Sequence, residues 1–560
     1  MARLPTDLHD RVGARGRSSP TALFRPAALL TAICASITLA SCGGSSVSPG
    51  PTPIATTPST PRPIAAVTPT PVETAAAKTV GLGKRATLYG ASAGDSAAAV
   101  AAGDFNGDGI ADLALAAARA DGPDSGRPDA GEVYVFFGPF SGGETRDASA
   151  EDQDLTIYGA NEGDEAGRSL GAGDLNGDEI DDLVIGSPFA DGPDRTRLDA
   201  GGAHVLYGSP TLPPTIDLAA QGGDTMIHGA DAQDLAGFSV AVADVSGDGV
   251  GDVVLGSLGA AGPDNAREGA GEVHVVFGAD APLTTTDLAA GEQDVTVYGA
   301  EVGDGLGEIV AAGDLNGDGP AELVLPAPFA SQAAGETYII PGGRSIPPII
   351  DIAEGRPATV LGPDAGDQAG HSLAIGDVDG DGIGDLLLGA VSADGPDNRR
   401  SLAGEALLVP GRRLSAGTVR AVAADQGMRL YGADSGDRLG RAVALADLNG
   451  DRLADLTLVA AGGDGPQERR ENAGELYVYF GPGNPGEMLD VASEAARLTL
   501  AGDDADDVLG TTTFGKPTLL LTDMNGDGLN DIVASAPGGD GPANDRVDAG
   551  EAIIIFLVER

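Results

Sequence analysis

An all-β fold, built as a closed ring of seven similar sheets, is predicted by three observations. One acidic nonapeptide recurs seven times, at start-to-start spacings of 70, 70, 70, 63, 70 and 76 residues. Short apolar runs bounded by Gly and Pro surround every copy, and no helix-length amphipathic period separates them. The last repeat lacks the strand that ends the others, while an orphan copy of that strand, Thr87-Leu88-Tyr89-Gly90, precedes the first. Regular self-similarity of this kind marks a solenoid, an array or a propeller. Four short strands per repeat read as one antiparallel sheet. Radial stacking buries both faces of such sheets and leaves only short edges. The expectation is a seven-bladed β-propeller of four-stranded antiparallel blades over residues 85–560, its ring closed by the N-terminal strand joining the last blade.

The chain begins with an address. Arg3, Arg11, Arg15, Arg17 and Arg25 precede the apolar stretch Pro26 to Ala40, which is too short to span a bilayer as a mature helix. Leu39-Ala40-Ser41-Cys42-Gly43 resembles a bacterial lipoprotein lipobox, which implies removal of residues 1–41 and lipidation of Cys42. Cys34 leaves with the leader, so the mature protein has no disulfide and an exported fold of this size needs another staple. Residues 42–84 are rich in Pro and Thr and read as a solvated tether. No other apolar run is long enough to cross a membrane.

Composition narrows the partners. Against 33 Lys and Arg stand 84 Asp and Glu, a formal charge of −51, which excludes binding to phosphate backbones. Aromatic residues are 4% and Trp is absent, which weakens sugar recognition by ring stacking. With 42% apolar residues a large core is assured.

Within each repeat an apolar pair and a Gly, as in Ile157-Tyr158-Gly159, are followed by a strand of small residues running into the nonapeptide. A short apolar run such as Leu183-Val184-Ile185 comes next, and then a longer one such as Glu132 to Phe137. The nonapeptide reads Asp-x-Asn-x-Asp-Gly-x-x-Asp. Side-chain oxygens at positions 1, 3, 5 and 9 and the carbonyl at position 7 can converge on one hard cation, and a flexible all-oxygen shell suits Ca²⁺. The first loop offers Asp104, Asn106, Asp108, Ile110 and Asp112, and the second Asp174, Asn176, Asp178, Ile180 and Asp182. The third offers Asp244, Ser246, Asp248, Val250 and Asp252, and the fourth Asp314, Asn316, Asp318, Pro320 and Glu322. The fifth offers Asp377, Asp379, Asp381, Ile383 and Asp385, the sixth Asp447, Asn449, Asp451, Leu453 and Asp455, and the seventh Asp523, Asn525, Asp527, Leu529 and Asp531. An EF-hand would need an acid at position 12, where these loops carry strand residues such as Leu115 and Ile185. Up to seven Ca²⁺ ions are therefore expected, in a structural role that replaces disulfides. Glu179 and Arg452 in place of the turn Gly, Ser246 at position 3, and Pro320 with Glu322 mark the irregular copies. The first, fifth and seventh loops are expected to be the most regular.

These repeats resemble FG-GAP repeats of the integrin α-subunit propeller and its bacterial relatives; Gly237-Phe238-Ser239-Val240 and Gly186-Ser187-Pro188 preserve pieces of the name-giving phrases. The resemblance implies metal loops between the first and second strands of each blade and a ligand face on the opposite side. That face would carry Asp95, Asp164, Asp234, Asp304, Asp367, Asp437 and Asp507, and the Asp-Gly-Pro-Asp loops at Asp121, Asp191 and Asp394, with partial copies at Asp464 and Asp540. They read first as turn residues bonding their own backbone, and second as an acidic rim for a cationic partner. An enzyme finds little purchase. His204, His228, His274 and His371 lie in different repeats, and no Cys nucleophile remains after export. The expected function is a membrane-anchored, extracytoplasmic calcium-binding scaffold for recognition or adhesion. It would be a monomer, with an unknown protein or glycan of the cell envelope or surface as partner; a polysaccharide lyase or hydrolase is the alternative.

Overall fold

The computed structural model describes residues 77–560, apart from residues 194, 222–224, 415–418, 421–426, 466–468, 482–487 and 513–517. The leader, Cys42 and the tether as far as residue 76 lie outside the described residues. Seven sheets follow one another along the chain, one per repeat. The first blade is typical. Its innermost strand Ala99–Gly103 pairs antiparallel with Asp112–Ala117, which pairs with Glu132–Phe136, which pairs with Leu155–Tyr158. The nonapeptide is the turn between the first two of these strands.

Each second strand, such as Asp112–Ala117, Asp252–Ser257 or Asp385–Ala390, is buried along its whole length. Neighbouring blades cover both of its faces, which is why it reads as an unbroken apolar run rather than an alternating one. The cores lie between blades. Leu88, Leu113, Leu115, Phe136 and Phe556 pack in one cluster between the seventh and first blades, and Val133, Val135, Leu183 and Ile185 in another between the first and second.

Closure follows the expectation. Val80–Tyr89 pairs antiparallel with Glu551–Glu559, from Val80 opposite Glu559 to Tyr89 opposite Glu551, with one register shift between Leu82 and Arg85. The closing strand thus begins at Val80, ahead of the boundary read from the sequence at residue 85.

The blades are richer than the four strands expected. Six of the seven sheets carry a fifth, short strand running parallel to the fourth. In the first blade it is Thr215–Asp217, lent by the connection between the third and fourth strands of the second blade. The same loan recurs around the ring: Thr286–Asp287, Ile349–Asp351, Val419–Arg420, Met488–Asp490 and Thr145–Asp147 each join the preceding sheet. Only two or three residues long, these strands are too brief to show an alternation in sequence. Among the described residues the sixth sheet has four strands. The corresponding pair in the seventh blade, Glu551–Glu559 and Val80–Tyr89, is not consecutive along the chain.

Backbone bonds zip adjacent blades together. On the side of the nonapeptides Asp181 N donates to Asp104 O at 3.1 Å, Gly251 N to Asp174 O at 2.8 Å and Ala321 N to Asp244 O at 2.8 Å. On the opposite side Ala166 N donates to Ala130 O at 3.0 Å, and Ala236, Leu306, Ala369, Leu439, Leu509 and Ala97 repeat the bond around the ring. Gly131 allows this approach: its φ is +89°, and a Cβ there would stand 2.0 Å from Ala166 O. Among the described residues no helix is long and apolar enough to cross a membrane.

Candidate metal loops and the channel

The strand ends place the nonapeptides, and the backbone shapes them. In the seventh loop Asp523 accepts from Gly526 N at 2.7 Å and from Gly528 N at 2.7 Å, Asn525 accepts from Asp527 N at 2.8 Å, and Asp527 accepts from Leu529 N at 3.0 Å. Each of these bonds turns the loop back on itself through its own amides. The first loop repeats the pattern through Asp104, Asn106 and Asp108.

Position 9 is the deepest member. Asp112, Asp182, Asp252, Asp455 and Asp531 are fully buried, and Glu322 and Asp385 nearly so. Each bonds the loop's second or third residue. Asp112 accepts from Phe105 N at 3.0 Å and from Gly138 N at 2.9 Å, tying the loop to the end of the blade's third strand. Asp182 does the same with Leu175 and Gly208, and Asp531 with Met524 and Leu557. Burial, and then the charges of the neighbouring loop acids, push Asp112, Asp182, Glu322, Asp385, Asp455 and Asp531 up to about 7. Asp252 is pushed to the same level. An added positive charge beside these carboxylates would offset the cost of burying them.

The irregular copies keep their shape to different degrees. Glu179 and Arg452 hold φ of +68° and +70° in place of Gly and still donate to Asp174 and Asp447. In the fourth loop Glu322 reaches back to accept from Leu315 N at 2.8 Å and from Asn316 Nδ2 at 2.6 Å, so the longer acid fills the same role. In the third loop the Ser246 hydroxyl lies 3.4 Å from Asp244 Oδ1. The fifth loop is the most convergent of the described ones: oxygens of Asp377, Asp379 and Asp385 lie within 4.8 Å of one another. Arg412 ion-pairs there with Asp379 and Asp381, a positive charge held against this oxygen cluster. All-oxygen donors in a turn of this kind could hold a hard cation.

The opposite face is built from self-bonded turns. Asp234 accepts from Asp231 N at 3.0 Å, Asp304 from Glu301 N at 3.0 Å and Asp507 from Asp504 N at 2.8 Å. Asp121, Asp191, Asp394, Asp464 and Asp540 each accept from the backbone eight residues on. Glu272 and Glu551 lie beneath this face, pushed up to about 7 and about 8 by burial and then by nearby carboxylates.

Sequence reading missed a ring of arginines. Arg127 bonds the carbonyl of Gly159 at 2.7 Å and Asp217 at 2.8 Å, so it staples the ends of the fourth and fifth strands. Arg197 with Asp287, Arg267 with Asp351, Arg400 with Asp490 and Arg546 with Asp147 repeat the staple. The signal was available: each Arg follows the loop's first residue by six, as in Asp121-Gly-Pro-Asp-Ser-Gly-Arg127.

Side chains from the innermost part of all seven blades meet on the axis in a cavity of about 230 Å³. It is lined mainly by small and apolar residues such as Ala99, Leu170, Val240, Val310 and Leu373, with Arg168 at one end between Phe189 and Phe238. The histidines are dispersed: His274 is buried in the third blade, and His371 meets Arg441 at 2.8 Å between the fifth and sixth.

The model of the FG-GAP repeat matches residues 96–136, 166–206, 306–340, 439–479 and 517–555, which are five of the seven blades. The chain carries FG-GAP repeats. Among the curated relatives of this FG-GAP propeller, human phosphatidylinositol-glycan-specific phospholipase D is 26% identical over 378 residues, covering 66% of this chain and 43% of the relative. Integrin alpha pat-2 of Caenorhabditis elegans is 32% identical over 257 residues, covering 43% of this chain and 19% of the relative. The chain thus spans less than half the length of these relatives. The solved structure of Bacillus licheniformis rhamnogalacturonan lyase PL11 overlays with a TM-score of 0.36 and 12% identity, over 85% of this chain and 75% of that one. That overlay is too loose to bear on this chain's function.

Proposed function

We propose that this FG-GAP propeller is a calcium-stiffened module, lipid-anchored through Cys42 outside the cytoplasm, that serves as a recognition or adhesion scaffold. The observation that carries the calcium part is the sevenfold repetition of an oxygen-lined loop closed by a buried ninth-position acid. Asp104, Asn106, Asp108, the Ile110 carbonyl and Asp112 would hold the ion in the first loop, and their counterparts would do so elsewhere. The bound ion would supply a positive charge that joins the first two strands of a blade and offsets the buried carboxylates; no bond-breaking chemistry is assigned to it. Scaffolding rather than catalysis is favoured because the axial channel is lined mainly by small and apolar side chains with one arginine and, among the described residues, no carboxylate. The partner is assigned to the proteins or glycans of the cell envelope or surface, met by a monomer. The test is a melting curve with Ca²⁺ and with chelator, coupled to capture of envelope material in Ca²⁺. An unchanged melt would remove the calcium part. Cleavage of a captured polysaccharide would replace the scaffold by an enzyme.

A further inference from the structure

We propose that the open edge of the sixth blade is a strand-addition site for an extended peptide of another protein that carries an apolar residue followed by Asp or Glu. This goes beyond the scaffold reading and stands without it, since a sheet edge that takes a strand needs neither calcium nor a lipid anchor. In six sheets the fourth strand is covered by a parallel fifth; among the described residues the sixth has none, and its fourth strand, Leu498–Ala501, is the edge.

Three observations define what fits. The first is the backbone. Thr156 N donates to Pro214 O at 3.0 Å and Thr296 N to Pro348 O at 2.9 Å, each reaching the residue that leads into its fifth strand. The register equivalent on the sixth sheet is Thr499, opposite Tyr477 as Thr156 is opposite Tyr134, and its N–H meets no such carbonyl among the described residues. The second is cover. Thr156, Thr296 and Thr359 are buried at 5%, 3% and 1% exposure, whereas Thr499 is exposed. The third is charge. Arg470 occupies the staple position and bonds the carbonyls of Gly502 and Asp503, as its counterparts do at their fourth strands. Those five counterparts each also hold the Asp at the end of a fifth strand; among the described residues Arg470 has no carboxylate partner.

An incoming segment would therefore run parallel to Leu498–Ala501, with its acid opposite Ala501 and within reach of Arg470. Its preceding residue would be apolar, like Ile216, which is 5% exposed in the occupied slot. Edge strands recruit partners in this way, with main-chain bonds supplying affinity and side-chain contacts supplying selection.

The probe is a fluorescent synthetic peptide of residues 346–353, Ile-Pro-Pro-Ile-Ile-Asp-Ile-Ala, the segment that fills the slot of the third blade. Titrated with the full chain, it should bind saturably. The peptide carrying Asp351→Asn should bind at least tenfold more weakly, as should the native peptide with an Arg470→Gln chain, and Thr499→Pro should abolish binding. Absence of saturable binding, or equal affinity of the Asp and Asn peptides for the wild-type chain, would overturn the proposal; the peptide variant leaves the protein untouched. Amide exchange of Thr499 in the free protein should be fast. Protection equal to that of Thr156 would mean that the chain itself or a second copy already fills the slot, and would overturn it too.

Discussion

At the scale of single residues, the ninth loop position matters most. Asp182 is fully buried and satisfies the amides of Leu175 and Gly208, so Asp182→Ala leaves two buried donors without acceptors. The expected loss is about 3 kcal/mol, read as a lowered denaturation midpoint in both Ca²⁺ and chelator. Glu179 tests the opposite direction. It holds φ at +68° where most loops have Gly, so Glu179→Gly should stabilise by about 1 kcal/mol, checked by thermal melting. The spacing of Asp, Asn and Asp was legible in sequence because a turn needs those residue types at those offsets. The second duty of the ninth acid was not: Gly138, which it binds, lies 26 residues further on, at the end of a strand whose register no local pattern announces.

At the scale of elements, a fifth strand and its arginine staple hold the outer edge of five blades. Arg267 donates to both oxygens of Asp351, at 2.8 and 2.6 Å, and to the carbonyls of Gly299 and Ala300. Arg267→Met should lower stability by about 2 kcal/mol, and should speed amide exchange in Ile349–Asp351 more than in the inner strands. The same substitution at Arg470 should cost less, since that residue bonds only carbonyls among the described residues. The four principal strands of a blade are readable because each is an apolar run bounded by turn residues. The lent strand is not, since two or three residues carry no period and their sheet belongs to the preceding repeat.

At the scale of the whole molecule, acidity and calcium are coupled. A carboxyl that is easier to protonate in the folded than in the unfolded chain stabilises the fold most below its unfolded pKa, and that contribution is lost as pH rises through the folded value. The seven ninth-position acids have ordinary values of 3.8 for Asp and 4.5 for Glu and are pushed up to about 7. In chelator the melting midpoint should therefore fall as pH climbs from about 4 to about 7. With Ca²⁺ the fall should flatten, because each occupied loop gains roughly 2.7 kcal/mol at a hundredfold excess over its dissociation constant. A profile unaltered by Ca²⁺ would separate these acids from any bound ion. The sequence by itself determined the number of blades, the four principal strands of a repeat and the place of the nonapeptides, because each is written in local pattern and repeated, and the orphan Thr87-Leu88-Tyr89-Gly90 announced the closure. Only the tertiary structure decided where the arginines reach, which blade each connection covers and which edge is left uncovered among the described residues. Those contacts join residues as far apart as Arg546 and Asp147, and distance in the fold, not along the chain, sets their energy.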